Sequence, residues 1–310
     1  MIDVHTHVFP TADEGGSWQK AVGFDPVRPG TVEDIGPRLS AAGTELAVVL
    51  IFPRSLVELQ ARRAIAPPGT SDAMLRAQVA ERLRAWNRWV CELTSRDMRF
   101  LAFIGVDPNI LTADEMTAEI RAGVEAGASG VKILPAAMRC YPDDPVLEPV
   151  YAACVAADLP LLSQSGMGGI PPHGPRGPFG RPAGFGPVLM AHPTLRLILA
   201  HLGRGADEEL VELFAAHPGV VGDTSLRLGS PHDDEPWDPA SVRGLIRRLG
   251  PERVLFGTNY PIVDPVVYRE RFHDLGLSSA ERALVGAGNA RRFLRLPGPA
   301  ADGVVRRPTA

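Results

Sequence analysis

The stretch Met1-Ile-Asp-Val-His5-Thr-His7 decides the fold. Side chains alternate along an extended strand with a period of two, so His5 and His7 project from one side and both imidazoles can reach one ion. Seven more short apolar runs come later in the chain: Leu46 to Phe52, Phe100 to Ile104, Gly130 to Leu134, Leu159 to Leu162, Leu195 to Ala200, Val220 to Asp223 and Arg253 to Phe256. Most have a helical segment in front of them. Thr31 to Gly43 opens on a threonine N-cap and stops at glycine, and Thr112-Ala-Asp-Glu115 has capping-box spacing. Asp207 to Ala216 and Ser241 to Leu249 precede the last two runs. Strands separated by helices imply parallel pairing through crossover connections. Eight such units predict an α/β protein, a (β/α)8 TIM barrel, with a doubly wound open sheet as the alternative.

The bulk numbers agree with a globular enzyme. A length of 310 residues suits one barrel domain, placed here at 1–296, with a disordered tail over 297–310. Hydrophobic residues make up 45% and charged residues 22%, which excludes the disordered and fibrous classes. A net charge of −4 offers no basic field, so nucleic acid is not an expected partner. Cys91, Cys140 and Cys154 form no CxxC pair and are odd in number, which argues against a disulfide framework. No export signal or membrane segment is read, so the expected setting is the cytoplasm. The expected partner is a small-molecule substrate, and a homodimer is the assembly entertained.

Two insertions stand out. Ser71 to Arg96 has an apolar stripe of Ala73, Leu75, Val79, Leu83, Trp86 and Val90, which predicts an outer helix packed on the barrel. Gly166 to Gly186 holds eight glycines and five prolines in 21 residues directly after strand five. That much punctuation precludes a long helix or strand, and the position is where a substrate lid would sit.

His201 comes directly after Leu197-Ile-Leu-Ala200. With His5 and His7 it makes three strand-end histidines on the predicted catalytic face, the ligand count of a catalytic metal site with an open position. The late segment Phe256-Gly-Thr-Asn259-Tyr-Pro261 carries an amide that cannot act as a base at neutral pH.

Taken together, Ile2-Asp-Val-His-Thr-His7, Gly130-Val-Lys-Ile-Leu-Pro135, Ala200-His-Leu-Gly203 and Phe256-Gly-Thr-Asn-Tyr-Pro261 resemble the amidohydrolase superfamily. Within it the likeness is to the amidohydrolase-related group of aminocarboxymuconate-semialdehyde decarboxylase, resorcylate-type decarboxylases and some lactone hydrolases. The resemblance implies a metal surrounded by two histidines of strand one, histidines ending strands five and six, and an aspartate ending strand eight. His5, His7 and His201 match three of these positions. Gln164 stands in place of the strand-five histidine and Asn259 in place of the aspartate. The cofactor implied is one divalent ion, zinc first, with iron or manganese as alternatives.

With Gln164 and Asn259 left to position water or substrate, the missing base falls to Asp223 at the end of strand seven, or to Asp264, which reads better as a helix N-cap. Lys132 on strand four is expected to make a salt bridge or an anion contact in preference to carrying a carboxylate. Arg54, after strand two, is a candidate fork for a substrate carboxylate. His173 in the Gly/Pro loop and Tyr260 beside Asn259 complete the substrate candidates. The leading function is a metal-dependent enzyme hydrolysing or decarboxylating a small carboxylated or cyclic substrate. The alternative is a metal-independent or repurposed barrel, including an iron-dependent oxygen-using enzyme or a non-catalytic binding protein.

Overall fold

A computed structural model describes residues 1–167, 174–229 and 238–297. Eight parallel strands run in sequence order: β1 Ile2–Thr6, β2 Leu46–Leu50, β3 Phe100–Gly105, β4 Gly130–Ile133, β5 Leu161–Ser163, β6 Leu197–Leu199, β7 Val221–Asp223 and β8 Val254–Leu255. The Val4 amide donates to the Phe256 carbonyl at 2.9 Å and the Asn259 amide to the His5 carbonyl at 2.8 Å, which brings β8 back beside β1. The result is a nearly closed (β/α)8 barrel, and the open sheet is excluded.

Alternation divides the core in two. Ile2, Val4, Leu46, Val48, Leu50, Leu101, Phe103, Leu162, Ile198, Val221 and Leu255 fill the barrel interior. The residues between them, such as Ala47, Val49, Ala102, Ile104, Val131, Ile133 and Leu199, face the surrounding helices. The helix Asn289–Phe293 covers the amino end of the strands, its Asn289 amide donating to the carbonyls of Pro251 and Val254 at 2.7 Å each. With that end covered, chemistry is left to the carboxyl ends.

Strict alternation would send His5 and His7 to the opposite face from Ile2 and Val4. The pairing of β1 with β2 prevents this. Asp3 lies opposite Ala47 and Thr6 opposite Val49, so three steps on β1 match two on β2. A bulge of that kind puts two successive residues opposite one and re-aims the side chains beyond it. His5 and His7 therefore join the inward set. Asp3 fixes the distortion: its buried carboxylate accepts from the amides of His5 at 3.1 Å and Thr258 at 3.0 Å, and from the Thr258 hydroxyl at 2.7 Å.

The long helix forms as its stripe predicts, over Asp72–Arg96. Its Ser71 cap accepts from the Met74 amide, and Leu75, Val79, Leu83 and Val90 are buried. Ala73 and Trp86 are not buried, so the inward stripe runs instead through Asn87, whose side chain donates to the Gly105 carbonyl at 2.9 Å. Sequence reading missed the helix Ala12–Ala21 between β1 and β2. In the described part of the Gly/Pro loop there is only a short turn of three-ten helix, Pro182–Phe185, and a bridge between Gly174 and Gly177. The proposed tail beyond Pro297 lies outside the described residues.

Phe103 is fully buried and stands in register with Leu50 at the middle of the interior. Phe103→Ala is expected to cost about 3–5 kcal/mol, read by denaturant unfolding. A loss under about 1 kcal/mol would show that the interior collapses around the gap.

Candidate active site

At the carboxyl ends of the strands lies a cavity of about 270 Å³, at the small end of ligand pockets. His5, His7, Lys132, Gln164, His201 and Asn259 all line it. The rings of His5 and His7 lie 5.2 Å apart, edge to face, and those of His5 and His201 4.9 Å apart. Six of the residues singled out by sequence thus converge from five strand ends.

Each histidine has Nδ1 engaged. His5 Nδ1 lies 2.9 Å from Asp223 Oδ2 and 3.1 Å from Ser225 Oγ. His7 Nδ1 lies 3.2 Å from the Leu50 carbonyl, and His201 Nδ1 2.7 Å from Ser225 Oγ. A partner on Nδ1 fixes ring orientation and leaves Nε2 of His5 and His201 for a ligand, the arrangement found behind metal-binding histidines, whereas His7 also hydrogen-bonds the Asn259 side chain. Burial also holds all three well below the ordinary value of 6.5, with repulsion from other cationic groups of the site adding to it. The rings are therefore neutral, the form that can ligate an ion. The donors that come within 4.8 Å of one another are those of His5, His201 and Asp223; His7 stands outside that tight set.

Asp223 is fully buried and saturated. Its Oδ1 accepts from the His201 amide at 3.1 Å, the Ser225 amide at 2.9 Å and the Ser225 hydroxyl, while Oδ2 meets His5. A carboxylate filled in this way orients its neighbours and is not a free base. His201 and Leu202 both have positive φ, 62° and 43°, at the kinked end of β6. Such backbone is unfavourable for these residue types and persists where the surroundings over-determine it; the Asp223 bond to the His201 amide is one such constraint.

Asn259 is buried with φ 71°, a left-handed position that asparagine tolerates. Gln164 comes just after β5, its backbone amide donating to the Ile133 carbonyl at 3.1 Å. The Gly/Pro loop folds back over it: the Gly166 amide donates to the Gly180 carbonyl at 2.7 Å, and a Cβ at Gly180 would meet the Gln164 amide at 2.8 Å. Beyond this point the loop is tied down by Arg176, which grips Asp143 at 2.8 and 2.9 Å and stacks 3.7 Å above the Tyr141 ring.

Other candidates lie elsewhere. The Tyr260 hydroxyl donates to Asp34 at 2.6 Å, away from the cavity, because its ring packs toward the helix Val32–Ala41. Arg54 is the N-cap residue of the helix Ser55–Ile65 and is not a lining residue. Asp264 caps the helix Pro265–Asp274 as its sequence suggests. His173 lies outside the described residues. Sequence reading passed over Arg204, which enters the cavity from the loop after β6, and the apolar wall of Trp18, Phe24 and Phe52. The Trp18 ring lies 4.6 Å from that of His7, tilted against it, and 5.5 Å from that of Phe52, edge to face. Its signal was local: Thr11 is spaced to cap a helix at Glu14, as it does at 3.3 Å.

A (β/α)8 barrel with imidazoles at the ends of β1 and β6 defines the class of barrel enzymes that work on a ligand held at the carboxyl face. The chain belongs to the amidohydrolase family: the family model Amidohydro_2 matches residues 2–296. No curated protein sequence matches it. Among solved structures it is similar to an uncharacterised TIM-barrel protein from Bordetella bronchiseptica, at 20% identity over 95% of this chain and 99% of that one, with a TM-score of 0.69. It is also similar to 5-carboxyvanillate decarboxylase LigW from Sphingomonas paucimobilis, at 16% identity over 95% and 98% with a TM-score of 0.68. A dihydroxybenzoic acid decarboxylase from Polaromonas, with bound manganese and the inhibitor 2-nitroresorcinol, is 18% identical over 95% and 96% with a TM-score of 0.67. These likenesses show the fold.

The buried imidazoles give the protein an acid sensitivity with a definite sign. Their folded values lie below 6.5, so the unfolded chain takes up protons that the native state refuses, and the stability they contribute is lost as pH falls below about 6.5. Asp3 acts oppositely. Burial raises it to about 7, so the stability it contributes is present in acid and lost as pH rises from its ordinary value toward 7. Lys132 and the Met1 amine, both lowered by burial, act in the direction of the imidazoles, and Asp107, raised by burial, in that of Asp3. The balance falls on the acid-sensitive side, so chelator-treated protein is expected to show a lower Tm at pH 5.5 than at pH 7.5 by about 5 °C, and His201→Gln should shrink the difference. An unchanged Tm would mean that the rings are hydrated.

Proposed function

We propose that the protein is a metal-dependent carboxy-lyase that removes carbon dioxide from a small carboxylated aromatic acid. The observation that carries this reading is the lining of the cavity. Three neutral imidazoles, two amides, one lysine, one arginine and an aromatic wall meet there, and none of the described lining residues is acidic. Hydrolysis is favoured by a carboxylate beside the ion that is free to take a proton from water. Gln164 and Asn259 cannot do so, and Asp223 is occupied by His5, His201 and Ser225. Decarboxylation makes no such demand. Support comes from the solved structures named above, two of which are decarboxylases of ring-bearing acids, one of them with manganese.

The donor set fits a divalent ion, because all three rings are neutral and oriented through Nδ1. His5 and His201 would hold it with His7 or Asp223, and Gln164 and Asn259 offer neutral oxygen donors. When bound, the ion supplies Lewis acidity toward a substrate oxygen. The remaining work falls to side chains. Trp18, Phe24 and Phe52 hold the ring and exclude water, while Arg204 and Lys132 receive its anionic groups. Burial brings Lys132 down to about 7 against the opposing pull of Asp223, so it can hold or release a proton at working pH. Loss of carbon dioxide leaves a carbanionic ring carbon that must be protonated, a step we assign to Lys132 because it lines the cavity.

Metal analysis of protein purified without chelator tests the first half: close to one equivalent of zinc or manganese is expected, falling at least about tenfold in His201→Ala. Less than about a tenth of an equivalent, unchanged by the substitution, would remove the ion from the mechanism. Asn259→Asp should tighten manganese binding by roughly tenfold, because it adds a charge to a neutral set. Carbon dioxide release from hydroxybenzoates and carboxyvanillate tests the second half. Ester or lactone hydrolysis without carbon dioxide release would replace this reading with a hydrolase.

A further inference from the structure

The chain has only two lysines, Lys20 and Lys132. Lys20 is exposed on the helix Ala12–Ala21, whereas Lys132 is 1% exposed and stands on β4 in register with the interior residue Leu162. Lys132 also lines the cavity, and among the described residues it makes no hydrogen bond or ion pair. Its carboxylate neighbour Asp223 exerts a Coulombic pull but no hydrogen bond, since both oxygens already accept from His5, His201 and Ser225. A long amine without a partner in a desolvated site is a poor space filler, and leucine or methionine would serve packing better. Among the described residues nothing pairs with it, which leaves that place to a ligand.

We propose that Lys132 captures carbonyl compounds covalently, forming an imine with an aldehyde or ketone that also bears a carboxylate. The Nζ lone pair forms the N–C bond while the C=O π pair moves to oxygen. Nitrogen gives up one proton and the oxygen gains one, yielding a carbinolamine. The C–O bond then breaks, the nitrogen loses its second proton, and the hydroxyl departs as water, so that amine plus carbonyl becomes imine plus water. Amines freed from solvent in apolar pockets are the ones that act as imine-forming nucleophiles, and burial indeed lowers Lys132 to about 7. The carboxylate preference comes from Arg204 and from a described lining without acidic residues, and the flat shape from Trp18, Phe24 and Phe52. This capture needs no ion and goes beyond the carboxy-lyase reading.

The test is trapping with 4-formylbenzoate and sodium cyanoborohydride on the chelator-treated full chain, with intact mass and peptide mapping as the readout. One adduct per chain is expected, on the peptide containing Lys132, formed at least about tenfold faster than on Lys20, the exposed internal control. Benzaldehyde should label Lys132 more slowly. Lys132→Arg should abolish the adduct, but the wild-type map decides the matter even if that variant misfolds. Labelling confined to Lys20 and the Met1 amine, or equal rates at the two lysines, would overturn the proposal; equal labelling by benzaldehyde would overturn the carboxylate preference. Because no metal is present, failure of metal-dependent decarboxylation leaves this result readable, and failure to trap leaves the decarboxylation assay untouched.

Discussion

The Asp223 carboxylate is the constraint on which the site depends. It stands at the end of β7 and reaches both ways around the barrel: to the ring of His5 on β1, to the backbone amide of His201 after β6, and to Ser225, which in turn holds the His201 ring. A buried anion is costly unless every lone pair is satisfied, and here the compensation comes from the very groups it positions. Remove any one of the three and the carboxylate is left short of a donor in a dry site. The arrangement is thus specified from within, which is how the unfavourable backbone at His201 and Leu202 can persist.

Much of the fold was legible because a parallel barrel writes itself as repeated apolar runs with helices between, and all eight strands fall within or beside the expected runs. The short ones shifted: β5 begins at Leu161 and β6 ends at Leu199, since hydrogen-bond register, not hydrophobicity, sets their ends. The site was legible in its residue types and less so in its directions. Spacing says that His5 and His7 share a side. It does not say which side, because that was decided by a bulge whose cause, Asp3 bonded to Thr258, spans most of the chain.

The same limit explains the other differences. Tyr260 is adjacent to Asn259 in sequence, but the two face opposite ways and the tyrosine satisfies Asp34. Arg54 stands shortly after β2 yet serves at a helix start. Arg204 and Trp18 come from connecting segments whose paths over the barrel are fixed by tertiary contacts, such as Gln19 donating to the Arg28 carbonyl at 2.6 Å and accepting from the Val27 amide at 3.1 Å. Side chains on strands obey a period; side chains on loops obey the bonds that pin the loop.

The electrostatic balance of the cavity gives the paired amides a physical meaning. A divalent ion between neutral imidazoles, Gln164 and Asn259 would bring positive charge into a site that already contains Lys132 and Arg204, with Asp223 the buried anion beside it. Charges in a medium of low polarity demand compensation. An aspartate at position 259 would provide part of it within the protein. An asparagine leaves it to the ligand, so a carboxylated substrate, as proposed, would complete the charge of the site as well as its shape. Ion and substrate would then stabilise one another's binding, and by linkage each would raise the affinity of the other by the same factor. Replacing charge by amides in this cavity shifts the demand for an anion from the polypeptide to the molecule it binds.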